Sequence, residues 1–116
     1  MKETVLENKS LVFSGEVVKV YRYLTASQNE QVLSKQLLRS GTSIGANIFE
    51  AGYAQSRNDF VSKLQIALKE TAETEYWLKL LTNSGFIEEK ESICLLSKCI
   101  EIKKMLIASI NTTKAK

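Results

Sequence analysis

Glu50, Glu70 and Glu73 are the residues whose type and spacing come nearest to a reactive centre. Glu70 and Glu73 stand three apart, on one face of a helix. With Glu50 from another helix they imitate part of a carboxylate di-iron bundle, but that site needs Glu-x-x-His pairs from facing helices. The chain has no histidine, which also removes the commonest general base and the commonest metal ligand. Cys94 and Cys99 are five apart, point in different directions on a helix, and match no paired zinc-ligand spacing. Two buried, reduced thiols are expected. The sequence therefore predicts no catalytic residue, no cofactor and no metal.

A second constellation is basic. Lys98, Lys103, Lys104, Lys114 and Lys116, set against Glu101, leave the last stretch of chain strongly positive, and Lys19 and Arg22 form a second set. These are the candidate phosphate contacts of a nucleic-acid partner, RNA or DNA. A solvated charged face is the simpler reading, since the net charge is only +3. No aromatic platform is evident among them for base stacking.

The third is Ser40-Gly41-Thr42-Ser43-Ile44-Gly45-Ala46-Asn47-Ile48-Phe49-Glu50-Ala51. Gly41 and Gly45 are four apart and share a helical face. Each costs a helix interior roughly 1 kcal/mol relative to Ala, so a second backbone lying close against that face is the simplest reason to find both. Arg39, Asn47, Glu50, Arg57 and Glu73 form a candidate polar cluster, in which at least one acid is expected to pair with an arginine or with Asn47. A buried pair of that kind loses about 3–5 kcal/mol when one partner is removed.

The elements that hold these residues read as amphipathic helices. The chain is long enough for one domain with a real core, and its 116 residues include no proline. Residues 1–8 read as a lead-in, with Asn8 or Ser10 capping a helix over 9–26 whose stripe is Phe13, Val17, Val20, Tyr21 and Leu24. A second helix is predicted over 30–54, bent near Ser40–Ser43 where hydroxyls bond back to the backbone. Ser56 and Asp59 open a third over 57–83, which Gly85 closes in a left-handed conformation with Phe86 and Ile87 folding back. Its stripe is Phe60, Leu64, Ala67, Leu68, Thr71, Ala72, Leu78 and Leu81; Ile66, Trp77 and Leu80 lie beyond it. The fourth is predicted over 88–111 with Ile93, Leu96, Ile100, Ile107 and Ile110 inside. Four helices on short links make an all-α, up-and-down, left-handed four-helix bundle.

Gly41, Gly45, Tyr53, Ile66, Trp77 and Leu80 are the candidate oligomer contacts, because apolar groups beyond one stripe mark interfaces. No apolar run approaches the roughly 20 residues of a membrane span, and the N-terminus carries no apolar signal segment. The expected location is the cytoplasm, with no membrane partner.

Leu37 to Ala51, then Ser56 to Phe60, then Ile66 to Leu78, resemble the small bacterial proteins of the S23, or 23S rRNA intervening-sequence, family. The resemblance covers nearly the whole chain, with a departure at Phe49, where many relatives have a small residue. It implies a homopentameric ring of four-helix bundles around a channel. A related group, the accessory variability proteins of diversity-generating retroelements, implies nucleic-acid binding. The expected function is a non-catalytic oligomer associated with nucleic acid; the alternative is a protein-interaction scaffold without nucleic acid.

Overall fold

The computed structural model describes residues 4–116. Four helices, α1 (Val5–Ala26), α2 (Leu33–Ala51), α3 (Arg57–Asn83) and α4 (Glu89–Ala115), fold into an antiparallel bundle of 47 × 22 × 21 Å. Each helix packs on its two chain neighbours and α4 returns to α1, so the helices occupy the corners of a square with no diagonal contact. The α1–α4 seam is the least intimate. Two ion pairs cross it, Lys98–Glu16 at 2.7 Å and Lys9–Glu101 at 3.1 Å. Among the described residues there is no strand.

α1 starts earlier than its hydrophobic pattern suggested. Thr4 and Glu7 form a reciprocal capping box: the Glu7 amide donates to Thr4 Oγ1 at 3.0 Å, and the Thr4 amide donates to Glu7 Oε1 at 2.7 Å. Asn8 and Ser10 are thus inside the helix, and the part of the expected lead-in before Thr4 lies outside the described residues. α2 is shorter at both ends than 30–54. At its start the buried carboxylate of Glu30 lies outside the helix and accepts the amides of Val32, Leu33 and Ser34 at 3.0, 2.7 and 2.8 Å. Asn29 takes the left-handed conformation, φ 54°, that aims Glu30 back at those amides. α2 then runs unbroken through Ser40–Ser43, where Thr42 and Ser43 donate to the carbonyls of Leu38 and Arg39, both at 2.7 Å.

α3 closes as predicted. Gly85 has φ 85°; its amide donates to the Thr82 carbonyl and that of Phe86 to the Leu81 carbonyl, 3.1 and 2.9 Å. Ile87 is buried behind it.

The core is built from Phe13, Val17, Val20 and Leu24 of α1, Leu37, Ile44 and Ile48 of α2, Leu64, Leu78 and Leu81 of α3, and Leu95, Ile102 and Leu106 of α4. Thr74 also faces inward, whereas Ala72 is exposed and Phe60, Leu68 and Tyr21 are only half-buried. The α4 stripe is the largest correction. Ser92, Leu95, Cys99, Ile102, Leu106 and Ile110 face the core, while Ile93 and Ile107 are exposed and Leu96 and Ile100 half-buried. Both rows keep a helical spacing, three and four in the inner row and three, four and seven in the outer, so periodicity alone does not choose between them. The row that points out is the richer in isoleucine.

Candidate functional site

The glycine pair makes the α1–α2 crossing. A Cβ on Gly41 would stand 2.9 Å from both γ-methyls of Val17, and one on Gly45 would stand 3.2 Å from Ser14 Oγ and 3.3 Å from Ser10 Oγ. The close backbone is therefore α1 of the same subunit. Gly41 is buried there, which removes it from the candidate oligomer contacts. Gly45 is half-buried and also forms part of the floor of a surface groove.

The polar cluster divides. Arg39 reaches across to α3 and ion-pairs with Glu73, with Glu70 at 3.4 Å; Glu73 also accepts the Trp77 indole N–H at 3.2 Å. Glu50 instead pairs with Lys63 at 3.1 Å, Asn47 donates to the Ser43 carbonyl at 2.8 Å, and Arg57 donates to the Lys116 carbonyl at 2.6 Å. The expected acid–arginine pair exists, but at the surface: the side chains of Arg39 and Glu73 keep 49% and 38% of their exposure. Solvent screening reduces its worth to below about 1 kcal/mol, not the larger value of a buried pair. Arg39→Ala is accordingly expected to shift the denaturation midpoint by less than about 1 kcal/mol equivalent; a loss above 2 would require the pair to be shielded from water.

The basic residues do not make one patch. Lys98 and Lys103 are held by Glu16 and by Glu75 of α3, the latter at 3.0 Å. The Glu16 hydrogen bond raises the Lys98 pKa against the opposing effect of burial. Lys104, Lys114, Lys116, Lys19 and Arg22 make no ion pair among the described residues. The helices of the α1–α4 seam are antiparallel and Glu16 meets Lys98, so Lys19 and Arg22 lie level with the acidic start of α4, Glu89 and Glu91. Lys114 and Lys116 lie at the opposite end beside Arg57, around a polar cleft. Lys114 and Lys116 are thus separated from Lys19 and Arg22 by most of the length of the bundle, whereas Lys98, on Glu16, lies within a helical turn of Lys19.

Among the described residues, no group of three or more His, Cys, Asp or Glu side chains is placed to hold a metal ion. Glu70 and Glu73 converge on Arg39 rather than on Glu50. The cysteines differ in exposure, contrary to the expectation of two buried thiols: Cys94 is exposed and Cys99 buried. Burial pushes the Cys99 thiol up to about 12, helped by Glu75 and opposed by Lys103. Cys99 also approaches the Thr71 carbonyl at 3.6 Å. A disulfide-exchange reagent at pH 8 should label one thiol quickly and the second only after unfolding; two fast thiols would contradict this packing.

The apolar candidates also separate. Tyr53 is exposed and packs against Phe49 with the rings tilted and their centroids 5.6 Å apart; Ile66 is exposed; Trp77 and Leu80 are half-buried. Sequence reasoning missed the outward row of α4, because it placed those isoleucines inside. It also missed the groove of about 400 Å³ between α1 and α2. No helix is long and apolar enough to cross a membrane.

The family model described as 23S rRNA-intervening sequence protein matches residues 2–108. Among solved structures, the chain is similar to a protein with unknown function from the S23 ribosomal protein family of Bacteroides thetaiotaomicron VPI-5482. The two are 52% identical with a TM-score of 0.90, over 91% of this chain and 98% of that one. No curated protein matches. Neither the family description nor this relative indicates a catalytic activity. With four antiparallel helices and a family match over almost its whole length, the chain belongs to the 23S rRNA-intervening sequence protein family.

Proposed function

We propose that this protein is a non-catalytic helical scaffold of the cytoplasm that works as a homo-oligomer and associates with nucleic acid. One observation supports the assembly: the row Ile93, Leu96, Ile100 and Ile107 on α4, of which Ile93 and Ile107 are exposed and Leu96 and Ile100 half-buried. Contiguous apolar surface of this kind marks a contact site. The resemblance to the S23 proteins supports a ring of five as the form of that oligomer. Five copies at +3 each give an assembly of charge +15, and Lys104, Lys114 and Lys116 would recur around one rim. Repetition turns a weak phosphate-binding surface into one of useful affinity.

Light scattering at micromolar concentration tests the assembly, and a subunit mass of 13.0 kDa in solution would reject it. Fluorescence anisotropy with a labelled RNA and a labelled DNA tests the partner. Affinity should fall by more than about tenfold between 50 and 200 mM salt. The second reading is a scaffold for proteins alone. It is favoured by one fact, that Lys98 and Lys103 already neutralise Glu16 and Glu75. An oligomer with no salt-sensitive binding to either nucleic acid would select it.

A further inference from the structure

We infer that the α1–α2 groove binds a small organic ammonium with an apolar body, the charge at Glu7 and the body along the groove. The site needs neither the proposed assembly nor the nucleic acid. The groove exists because its floor is made of small residues, Ser14, Gly45 and Ala46. An ordinary side chain there would begin to fill it: a Cβ on Gly45 alone would stand 3.2 Å from Ser14 Oγ. Leu11 of α1 and Phe49 of α2 supply the apolar edges and are 63% and 57% exposed. From Glu7 to Ser14 the groove follows about 10 Å of helix. Its volume of about 400 Å³ lies in the range of clefts that hold small molecules. Such clefts are mostly apolar, with a few polar groups that fix the ligand's orientation.

The polar groups select the charge of the ligand. No lysine or arginine lines the groove. Ser10 and Thr42 donate their hydroxyl protons to the carbonyls of Glu7 and Leu38, at 2.9 and 2.7 Å, and so offer the groove only lone pairs. Glu7 forms no ion pair among the described residues. The start of α1 uses one of its oxygens: Oε1 accepts the Thr4 amide at 2.7 Å. The other, Oε2, lies beside the end of α2, 3.6 Å from where a Cβ on Gly52 would stand. That end is the negative pole of α2, and its last turn holds no basic residue. The nearby Glu50 carboxylate is already held by Lys63. A carboxylate and a helix C-terminus thus meet at one end of an apolar channel without a cation to balance them. An anion is repelled there, and a neutral apolar molecule leaves the carboxylate unpaired. An ammonium has donors for these acceptors and brings the missing charge.

The test uses three probes, phenylbutylamine, phenylbutanol and phenylbutyrate, which share one apolar body and differ in charge. Each is titrated into the full-length protein and followed by ligand-observed saturation-transfer NMR. The amine should bind at least about fivefold tighter than the alcohol, the worth of one partly screened ion pair, and the acid should bind weakest. Glu7→Gln keeps the capping box, which glutamine also completes, and should bring amine and alcohol to equal affinity. Ala46→Leu, at an exposed position, should fill the groove and abolish binding of both, with wild-type helical circular dichroism. Phe49→Ala, also at an exposed position, should weaken both probes alike and keep the preference for the amine. The inference is overturned if the wild type does not bind the amine, if it binds amine and alcohol equally, if the preference survives Glu7→Gln, or if neither groove variant weakens binding.

Discussion

Gly41→Leu should lose about 3 kcal/mol or more of stability, the largest effect expected of any single substitution at the α1–α2 crossing. Even one carbon is too many there. A Cβ on residue 41 would stand 2.9 Å from both γ-methyls of Val17 and 3.3 Å from its Cβ. Val17 is fully buried and β-branched, and a helix leaves it one strongly preferred rotamer. It has no free direction in which to yield. The helices must separate, and the packing of Phe13, Ile44 and Ile48 loosens with them. Gly41→Ala sets an overpacking cost of about 1–3 kcal/mol against a gain of about 1 kcal/mol in helix propensity, so a net loss of about 1 kcal/mol is expected. Gly15→Ala is the control: nothing lies within 4 Å of its would-be Cβ, and the propensity gain should appear uncompensated as about 1 kcal/mol of added stability. Urea denaturation at one fixed protein concentration reads all three, since an oligomer's midpoint moves with concentration. The double variant Val17→Ala, Gly41→Ala should lose at least about 1 kcal/mol less than the sum of the two singles, because the new methyl occupies space the valine vacates. Additive losses would mean that the two residues do not meet.

The glycines illustrate what was legible in the residues. Two glycines four apart in a helix have few explanations, and the close approach of another helix is the physical one; the partner, Val17 with Ser10 and Ser14, lies in a different segment and leaves no local mark. Helices were legible wherever a chemical stop exists, as at Ser56, where the hydroxyl accepts the Asp59 amide at 3.0 Å, and at Gly85. The start of α1 was also written in the chain, as Thr4-x-x-Glu7, but the hydrophobic stripe begins later and drew the boundary with it. α4 is the opposite case. Its two apolar rows are equivalent by spacing, and only the surroundings decide. The inner row receives the close-packed α3, to which Lys103 is tied through Glu75, and the other flank turns to α1 through Lys98 and Glu16. A helix with two apolar rows is itself a signal of two partners, one inside the subunit and one outside. The same one-dimensional limit scattered the basic candidates. Lys19 and Arg22 were grouped with Lys114 and Lys116 by charge alone, whereas the antiparallel register sends these two pairs to opposite ends of the bundle, with Lys98 left beside Glu16.

Glu30 should be the most important carboxylate for stability. It is 8% exposed, and no hydrophobic pattern points to it. Its two oxygens accept three backbone N–H groups at the start of α2, the work usually done by a side chain at the N-cap, where Val32 offers no acceptor. The negative charge also sits at the positive end of the helix. Hydrogen bonds to a charged group are worth about 1.5–3 kcal/mol, and donors left unsatisfied bring a further penalty, so Glu30→Ala should lose about 3 kcal/mol. Glu30→Gln keeps an acceptor but not the charge and should lose about 1 kcal/mol. The pH dependence separates charge from shape. Burial alone would push the Glu30 carboxyl up, but the amides of Leu33, Ser34 and Val32 and the Ser34 hydroxyl outweigh it and hold the pKa below the ordinary value of 4.5. A carboxyl depressed in the folded state stabilises in full above its unfolded pKa, and that contribution is lost as pH falls through the folded value. The stability difference between wild type and Glu30→Gln should therefore be constant from pH 7 down to about 5, then close progressively below the ordinary glutamate value, as the wild-type carboxylate is itself neutralised. Urea midpoints of both proteins at intervals between pH 7 and pH 3 give the comparison directly. A difference that persists undiminished at pH 3 would show that the fit of the side chain, and not its charge, holds the start of α2.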